Sequence, residues 1–202
     1  MLVLRSSPPS PFGRKVKIAA HHLGLMERIT VEIADTTNPT DSLRRQNPLG
    51  KIPALVDEDG TVFYDSRVIL DYLDHLAGGG RIVPTEPAAR FAALRLQALA
   101  DGIMDAALLQ IYEARFRDEA LRSQAWLENQ AGKVARGLAV LEASPPALDS
   151  GLTVGEIAVA CALGYLDLRF AGSWRETHPR LVAWLDAFEA AVPSYAATRV
   201  TP

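Results

Sequence analysis

The spacing of apolar and polar residues changes character partway along the chain. Before about residue 80, short apolar runs alternate with helical segments, and afterwards the apolar positions recur only at helical spacing. Strands are predicted at residues 2–4, 29–33, 52–56 and 62–64, and Asp59-Gly60 between the last two favours an antiparallel hairpin. The order strand, helix, strand, weak helix, hairpin, helix predicts a four-stranded mixed sheet with three helices, built on a βαβ unit.

The rest of the chain is predicted to be all helical, with about five helices. Residues 86–202 contain 26 alanines against 5 in residues 1–85, and alanine is the strongest helix former. Phe91, Leu94 and Leu108 mark one long helix or a kinked pair, and Thr153 with Glu156 forms a capping box. Glycines and prolines between the two parts predict a linker at 80–85, which separates domains at 1–79 and 86–202.

Composition narrows the class of protein. The chain has 202 residues, a formal net charge of −3 and one cysteine, so neither an internal disulfide nor a cysteine zinc site can form. The acidic balance argues against nucleic acid, and the longest uncharged apolar run, 157–166, is too short to span a bilayer. Arg5 and the prolines after it argue against a signal peptide. We therefore expect a soluble, cytoplasmic protein without a metal, nucleic-acid or membrane partner.

Ser10-Pro11-Phe12 is the first candidate for chemistry. Serine is a favoured N-cap and proline a favoured first helical residue, so a well-made helix start explains these residues by itself. The same geometry presents unpaired N–H groups and a partial positive charge, which stabilise an anion. A serine hydroxyl there can also donate a hydrogen bond to a thiolate. No base lies nearby in sequence to make Ser10 a nucleophile, so a donor role fits better.

For two further segments, the residues can likewise be explained either by local structure or by ligand binding. Pro53 falls at the start of a predicted strand. It is explained either as part of an ordinary turn or, if the Ile52–Pro53 peptide bond is cis, as a residue that turns the Ile52 backbone towards a bound peptide. Asp65 or Ser66 is a candidate N-cap for the next helix. A carboxylate, a hydroxyl and helix N–H groups at one junction would also suit a zwitterionic α-amino acid.

Taken in order, these motifs resemble the glutathione S-transferase superfamily, in the bacterial cytosolic form with serine at the start of the first helix. The matching sequences are S-P-F-x-R-K-V from residue 10, N-P-L-G-K-I-P from residue 47, D-S at 65–66, T-x-x-E from 153 and H-P-x-L-x-x-W from 178. The resemblance covers nearly the whole chain. It implies a thioredoxin-like α/β domain followed by an all-α domain.

The resemblance also implies a glutathione site. Ser10 would activate the thiol, and the backbone of Ile52 would pair with the cysteinyl portion before a cis Pro53. The other implied contacts are Phe12, Lys51 beside a carboxylate of the tripeptide, and Asp65 with Ser66 at the γ-glutamyl end.

Some residues depart from the family's pattern. Asp65 stands where Glu is more usual, and Ser6 and Ser7 are alternatives to Ser10 because some subgroups place their hydroxyl at the end of the first strand. Serine cannot form a mixed disulfide with glutathione, which disfavours thiol-transfer activity.

The second substrate is less well defined by the residues. By resemblance, residues 101–112 would line its cleft, with Met104, Leu108 and Tyr112 as apolar contacts, although core packing explains them equally well. Cys161 lies among apolar residues and is predicted to be a buried structural thiol. His21 and His22 have no spaced partner that would suggest a metal site.

The leading hypothesis is a dimeric detoxification enzyme that conjugates glutathione to small hydrophobic electrophiles. One alternative is a non-catalytic module that keeps the fold and binds glutathione or another ligand. A second is a glutathione-dependent isomerase, for which the expected Ser-Ser-Cys-Ser loop is only half matched by residues 6–9. Homodimerisation follows from the resemblance alone.

Overall fold

The computed structural model describes residues 1–148 and 151–200, and its first part is built on a four-stranded mixed sheet. The strands are β1 (Leu2–Ser6), β2 (Ile29–Ile33), β3 (Ala54–Val56) and β4 (Val62–Phe63), in the spatial order β2-β1-β3-β4. β1 runs parallel to β2, while β3 is antiparallel to both β1 and β4. The predicted mixed sheet is confirmed.

The hairpin strands are shorter than predicted. β3 begins at Ala54 rather than at Ile52, because Pro53 has no N–H to contribute to a ladder. The turn between β3 and β4 is closed by Asp57, whose N–H donates to the Thr61 carbonyl at 2.8 Å and whose carbonyl accepts from Gly60 at 3.0 Å. Gly60 has φ +88°, a conformation that favours glycine.

Three α-helices accompany the sheet, as predicted. They are α1 (Pro11–His22), α2 (Leu43–Gln46) and α3 (Ser66–Leu76), and a short 3₁₀ helix, Met26–Arg28, precedes β2. The apolar stripe of α1 packs on the buried face of β1, where Leu2, Leu4, Val16 and Ile18 have no exposed surface. The position of α1, and therefore of its N-terminus, is fixed by this core.

Five α-helices lie in the described residues of the second part, 86–148 and 151–200, which confirms the expected number. They are α4 (Pro87–Phe116), α5 (Gln124–Ala143), α6 (Val154–Phe170), α7 (Pro179–Ala191) and α8 (Pro193–Ala197), with 3₁₀ helices at Glu119–Leu121 and Ser173–Thr177. The segment predicted as one helix or a kinked pair is a single helix of 30 residues. Phe91, expected on its apolar face, is 69% exposed.

Helix α6 lies at the centre of the helical part and also contacts the α/β part. It packs against α4 on one side and α1 on the other, which explains why it is apolar around its whole circumference. The predicted capping box is present: Thr153 Oγ1 accepts from the Gly155 N–H at 3.1 Å, and Glu156 accepts from the Thr153 N–H at 2.9 Å.

The glycine-rich connection from α3 towards α4 is held by a buried carboxylate. Asp74 accepts hydrogen bonds from the backbone N–H groups of Gly80, Arg81 and Ile82 at 2.7–2.9 Å. The Ile82 carbonyl then accepts from the Val154 N–H at 2.9 Å, which ties the connection to the start of α6.

Across the described ranges 1–148 and 151–200, no helix combines the length and apolar character needed to cross a membrane.

Candidate functional site

The register of the sheet brings three of the sequence motifs to one end of it. Arg5 pairs with Ala54 and Leu55 pairs with Phe63, so extending the register places Ser6 opposite Pro53 and Pro53 opposite Asp65. The loop that follows β1, the start of β3 and the segment after β4 therefore meet at the same sheet edge. Ser10 lies four residues beyond Ser6, at the other end of that first loop.

Ser10 is the N-cap of α1. Its Oγ accepts a hydrogen bond from the Gly13 N–H at 3.1 Å, and its carbonyl accepts from the Arg14 N–H at 3.0 Å. Pro11 has no N–H, so the Phe12 N–H is the donor of the first turn left without a partner among the described residues. The hydroxyl hydrogen of Ser10, the Phe12 N–H and the helix dipole together form a site for an anion.

Ser6, the sequence's alternative to Ser10, has a different environment. Its side chain is 1% exposed, and its Oγ has no hydrogen-bond partner among the described residues. A Cβ on Gly13 would lie 2.0 Å from that Oγ, so glycine at this position lets α1 approach the end of β1. Ser6 is thus enclosed between strand and helix, whereas Ser10 is half-buried at the helix end.

The segment before Pro53 is shaped by a buried amide. Asn47 is 2% exposed; its Nδ2 donates to the Lys51 carbonyl at 2.8 Å, and its Oδ1 accepts from the Leu49 N–H at 3.0 Å. The Ile52–Pro53 peptide bond is cis, the isomer that the resemblance implies. Neither polar group of the Ile52 backbone is hydrogen-bonded to another part of the described chain, which leaves both for a ligand.

In the segment that follows β4, Asp65 is the N-cap of α3 and Ser66 is the first residue of that helix. Asp65 is exposed, and one carboxylate oxygen accepts from the Arg67 N–H at 2.9 Å. Ser66 is 2% exposed, and its Oγ accepts from Lys15 Nζ at 3.1 Å. The carboxylate of Asp65 is therefore the more accessible of the two side chains.

Lys15 connects this corner to the helical part. Its Nζ has no exposed surface and lies 2.6 Å from one carboxylate oxygen of Asp101, while Arg67 Nε lies 2.8 Å from the other. Asp101 is itself 1% exposed. The hydrogen bond to Asp101 raises the pKa of Arg67. A buried carboxylate on α4 thus holds one cation from α1 and one from α3.

Lys51 lies in the same electrostatic neighbourhood. Desolvation and the nearby Asp101 carboxylate raise the pKa of Asp105, one turn along α4, while the positive charges of Lys51 and Arg67 act in the opposite direction. Lys51 is exposed and none of its described contacts is an ion pair. Its ammonium is therefore accessible to an anionic ligand.

The residues expected to contact the second substrate differ in how exposed they are. Met104 is completely buried in the core, so it offers no surface to a cleft in this structure, whereas Leu108 and Tyr112 are partly exposed. A cavity of about 270 Å³ lies instead beside Ser10, between the loop after β1, helix α6 and the C-terminal segment. Cys161 is one of its lining residues, and burial raises the pKa of the Cys161 thiol to about 11. The one thiol of the chain is therefore protonated near neutral pH.

Several residues around the site were not singled out from sequence. They include three buried charged residues, Arg14, Lys15 and Asp101. A signal was present, because Asp101 interrupts a helical stripe next to Ala100 and Ile103, and a charge at an apolar position implies a buried partner. Within the described part of the chain, no group of three His, Cys, Asp or Glu side chains could hold a metal ion.

A βαβ unit followed by an antiparallel hairpin, with a cis proline immediately before the third strand, is a thioredoxin-like sheet. Here an all-helical domain packs on it through α1 and α6. The chain belongs to the glutathione S-transferase family. Residues 9–76 match the family model for the glutathione S-transferase N-terminal domain, and residues 124–187 match that for the C-terminal domain.

Individual relatives support the same assignment. The "Uncharacterized GST-like protein YibF" of Escherichia coli strain K12 is 36% identical over 185 residues, which is 89% of each chain. A glutathione transferase family member from Pseudomonas fluorescens Pf-5, solved with bound glutathione, is 44% identical and has a TM-score of 0.92 over 100% of both chains. A glutathione S-transferase from Methylobacillus flagellatus, with glutathione bound, is 35% identical with a TM-score of 0.88, covering 98% of this chain and 99% of that one.

Proposed function

We propose that this protein is a glutathione transferase that conjugates the glutathione thiolate to small hydrophobic electrophiles and so removes them. Ser10 acts by donating its hydroxyl hydrogen to the thiolate. The observation that carries the proposal is the state of this side chain: its Oγ accepts from the Gly13 N–H at 3.1 Å, which leaves its own hydrogen free to point away from the helix.

The chemistry needed at Ser10 is modest. A thiol of pKa near 8.5 is mostly protonated at neutral pH, and lowering that pKa by about two units corresponds to roughly 2.7 kcal/mol of thiolate stabilisation. A charge-assisted hydrogen bond and a helix N-terminus are each of the right size to supply part of this amount. The thiolate then attacks the electrophilic carbon held beside it, so proximity provides the rest of the acceleration.

The remainder of the tripeptide has complementary groups along the sheet edge. The unpaired backbone groups of Ile52 can form two hydrogen bonds with the cysteinyl residue, as one more antiparallel strand would. The carboxylate of Asp65 can bind the ammonium group of the γ-glutamyl residue. The free N–H groups at the start of α3 can bind the α-carboxylate of the same residue. The Lys51 ammonium and the Phe12 N–H complete the proposed site.

Two ligands of one relative support glutathione as the substrate. The Pseudomonas fluorescens protein that is 44% identical to this chain has been solved with glutathione and with S-(propanoic acid)-glutathione. The second ligand carries a group on the glutathione sulfur. A cytoplasmic location belongs to the same proposal, since the cytosol holds the reduced glutathione pool.

The Ser10 assignment is tested with Ser10→Ala and Ser10→Thr, using Ser7→Ala as the control. We expect Ser10→Ala to keep glutathione affinity within threefold in calorimetry but to lose at least tenfold in kcat, and to raise the pKa of the bound thiol, read from thiolate absorbance against pH. Ser10→Thr should retain most activity because it keeps the hydroxyl. Unchanged turnover in Ser10→Ala would move the role to Ser7 or Ser6.

The γ-glutamyl assignment is tested with the double variant Asp65→Ala/Ser66→Ala. Glutathione should bind at least tenfold more weakly, because the ammonium loses its carboxylate and the helix loses its cap. Ser42→Ala at the start of α2, which lies outside the proposed site, serves as the control variant. An affinity equal to that of the wild type would reject the assignment.

The alternative of a non-catalytic module makes a separate prediction. Such a protein would bind glutathione with these residues but would not accelerate its reaction with any member of an electrophile panel. A glutathione-dependent isomerase would instead convert cis-enone acids without consuming glutathione. The serine at position 10 disfavours thiol-transfer activity, because a hydroxyl without a cysteine beside it stabilises a thiolate but forms no disulfide.

We further propose that the protein is a homodimer, through the outer faces of α3 and α4. Val68 on α3 and Phe91 on α4 are 48% and 69% exposed, and Arg90 and Asp71 join the same two helices at 3.8 Å. Light scattering coupled to gel filtration should give twice the chain mass. Phe91→Asp should return a monomer, and an unchanged mass would place the interface elsewhere.

A further inference from the structure

The cavity beside Ser10 has an unusual charge. It has a volume of about 270 Å³ and its lining includes Pro8, Ser10, Arg14, Tyr165, Arg175 and Arg199. Three of these side chains carry guanidinium groups, and among the described residues Asp167 contributes the one carboxylate of the lining. A cavity meant only for an apolar electrophile has no need of this positive charge.

Two of the three arginines have carboxylate partners. Arg175 forms a two-point contact with Asp167, at 2.6 and 2.9 Å, and Arg199 lies 2.5 Å from Glu189. Arg14 differs: within residues 1–148 and 151–200, no carboxylate lies within ion-pair distance of its guanidinium. Arg14 is also only 8% exposed, so solvent screens it least.

The structural contacts of Arg14 do not neutralise it. One terminal nitrogen donates to the Tyr195 carbonyl at 2.7 Å, Nε donates to Thr198 Oγ1 at 3.3 Å, and the guanidinium carbon lies 4.0 Å from the centre of the Tyr195 ring. These bonds hold α8 against α1, but all of the groups are neutral. A buried cation that has no counter-ion among the described residues is unfavourable, and an incoming anion would relieve that cost.

The backbone around Arg14 is arranged to keep it in place. A Cβ on Gly164 of α6 would lie 2.5 Å from one terminal nitrogen of Arg14 and 2.6 Å from the Tyr195 hydroxyl. Glycine at this position allows both side chains to lie against the helix. The guanidinium is therefore held in one orientation at the wall of the cavity.

We propose that this cavity is the second-substrate site and that it selects electrophiles carrying a carboxylate, with Arg14 as the residue that binds it. This inference rests on the proposed transferase function. Ser10 and Arg14 are one helical turn apart, a rise of about 6 Å, and both line this cavity, so one small substrate can contact both residues. The terminal nitrogen of Arg14 that does not bond to Tyr195 has no hydrogen-bond partner among the described residues, so its N–H groups can donate to the substrate carboxylate and help to orient the substrate.

A matched substrate pair makes the inference testable. 4-Chloro-3-nitrobenzoate and 4-chloro-3-nitrobenzamide differ in charge but hardly in shape. In both, the thiolate attacks the carbon that bears chlorine, a C–S bond forms, the C–Cl bond breaks and chloride leaves with the bonding pair. Each kcat/KM is divided by the rate constant of the uncatalysed reaction with glutathione, which removes the difference in intrinsic reactivity.

We expect the wild type to prefer the benzoate at least tenfold by this ratio, and Arg14→Met to reduce the preference below twofold. Thr198→Val, which removes a structural hydrogen bond to Arg14 but no charge, should keep the preference. Arg136→Gln on α5 should also keep it, and controls for the net charge of the protein. Equal preferences in the wild type and Arg14→Met would overturn the inference.

A binding measurement on the wild type covers the case in which Arg14→Met does not fold. The two thioether products, with carboxylate and with carboxamide, are titrated by calorimetry beside glutathione itself. Tighter binding of the carboxylate product by at least fivefold supports the inference. Equal binding of both products overturns it while the transferase proposal stands, whereas absence of glutathione binding overturns both.

Discussion

Arg14 and Lys15 are neighbours on α1, equally charged and both buried, yet they lie in opposite electrostatic environments. Lys15 faces α3 and α4, where Asp101 lies 2.6 Å from its ammonium and Ser66 accepts a second hydrogen bond. Arg14 faces α6 and α8, where its partners are a carbonyl and a hydroxyl. One side of the helix contains a complete ion pair, and the other contains a cation that has no carboxylate partner within residues 1–148 and 151–200.

The difference separates a structural role from a binding role. The Lys15–Asp101 pair joins α1 of the α/β part to α4 of the helical part, so it helps to fix the two parts relative to each other. The carboxylate that satisfies it is then not available to a ligand, and neither is the ammonium. The unneutralised charge of Arg14 has kept its capacity to attract an anion. Each of the following predictions tests this contrast.

Asp101→Asn should have the largest effect on stability. It leaves the ammonium of Lys15 buried without a counter-charge, and breaking a buried pair in this way costs about 3–5 kcal/mol. The free energy of unfolding is measured in urea. The double variant Lys15→Met/Asp101→Asn should recover much of the loss, since it removes the stranded charge as well. A loss below about 1 kcal/mol in the single variant would show that the pair is not effectively buried.

Arg14→Met should destabilise the fold less, by about 1–3 kcal/mol. The variant leaves the Tyr195 carbonyl and the Thr198 hydroxyl with fewer partners, but it also removes a buried cation that has no counter-ion in the part of the chain that the structure describes. The same urea titration compares it with Asp101→Asn. If the two variants lose equal stability, Arg14 has an electrostatic partner in solution and the contrast between the two sides of α1 is wrong.

Gly164→Ala tests whether Arg14 is held against α6. The new methyl group overlaps the ends of Arg14 and Tyr195, and overpacking of this kind costs about 1–3 kcal/mol. Tyr195→Phe should restore part of the loss by removing the hydroxyl. Gly102→Ala is the matched control: it adds a methyl group to an exposed helical glycine with no atom within 4 Å, and should stabilise by about 0.5–1 kcal/mol. Equal effects at 164 and 102 would contradict the close packing.

Asp105 should give the smallest effect, and one that depends on pH. Its pKa is raised in the folded protein, by desolvation first and by the Asp101 carboxylate second. The folded state therefore holds this proton more tightly than the unfolded state, so its contribution to stability is present at low pH and is lost as pH rises through the raised pKa. Asp105→Asn should remove this dependence and stabilise slightly at pH 7. If the stability of the variant depends on pH in the same way as that of the wild type, the pH dependence arises from groups other than Asp105.

Much of this molecule was predictable because its signals are local. Pro11 and Ser10 define where α1 begins, Thr153 and Glu156 cap α6, and the alternation at 29–33 defines β2. The motif order was also sufficient to predict the family. The start of β3 was predicted two residues too early, because an apolar residue before Pro53 looks like strand although proline cannot join the ladder.

The residues around the site were harder to predict because their roles depend on partners far away in the chain. Met104 has the spacing of a cleft residue, but the packing of α4 on α6 encloses it completely. Phe91 has the spacing of a core residue and is exposed. Helical periodicity identifies a face of the helix, but it does not identify which element covers that face.

By itself, the sequence determined the order of the elements, the caps of the helices and the motifs at the sheet edge, since each depends on residues a few positions apart. The tertiary structure decided which buried charges have partners. Lys15 meets a carboxylate 86 positions away, while Arg14 meets a carbonyl 181 positions away. Whether a buried charge is neutralised depends on its distances in space to such remote groups, and those distances exist only once the chain has folded.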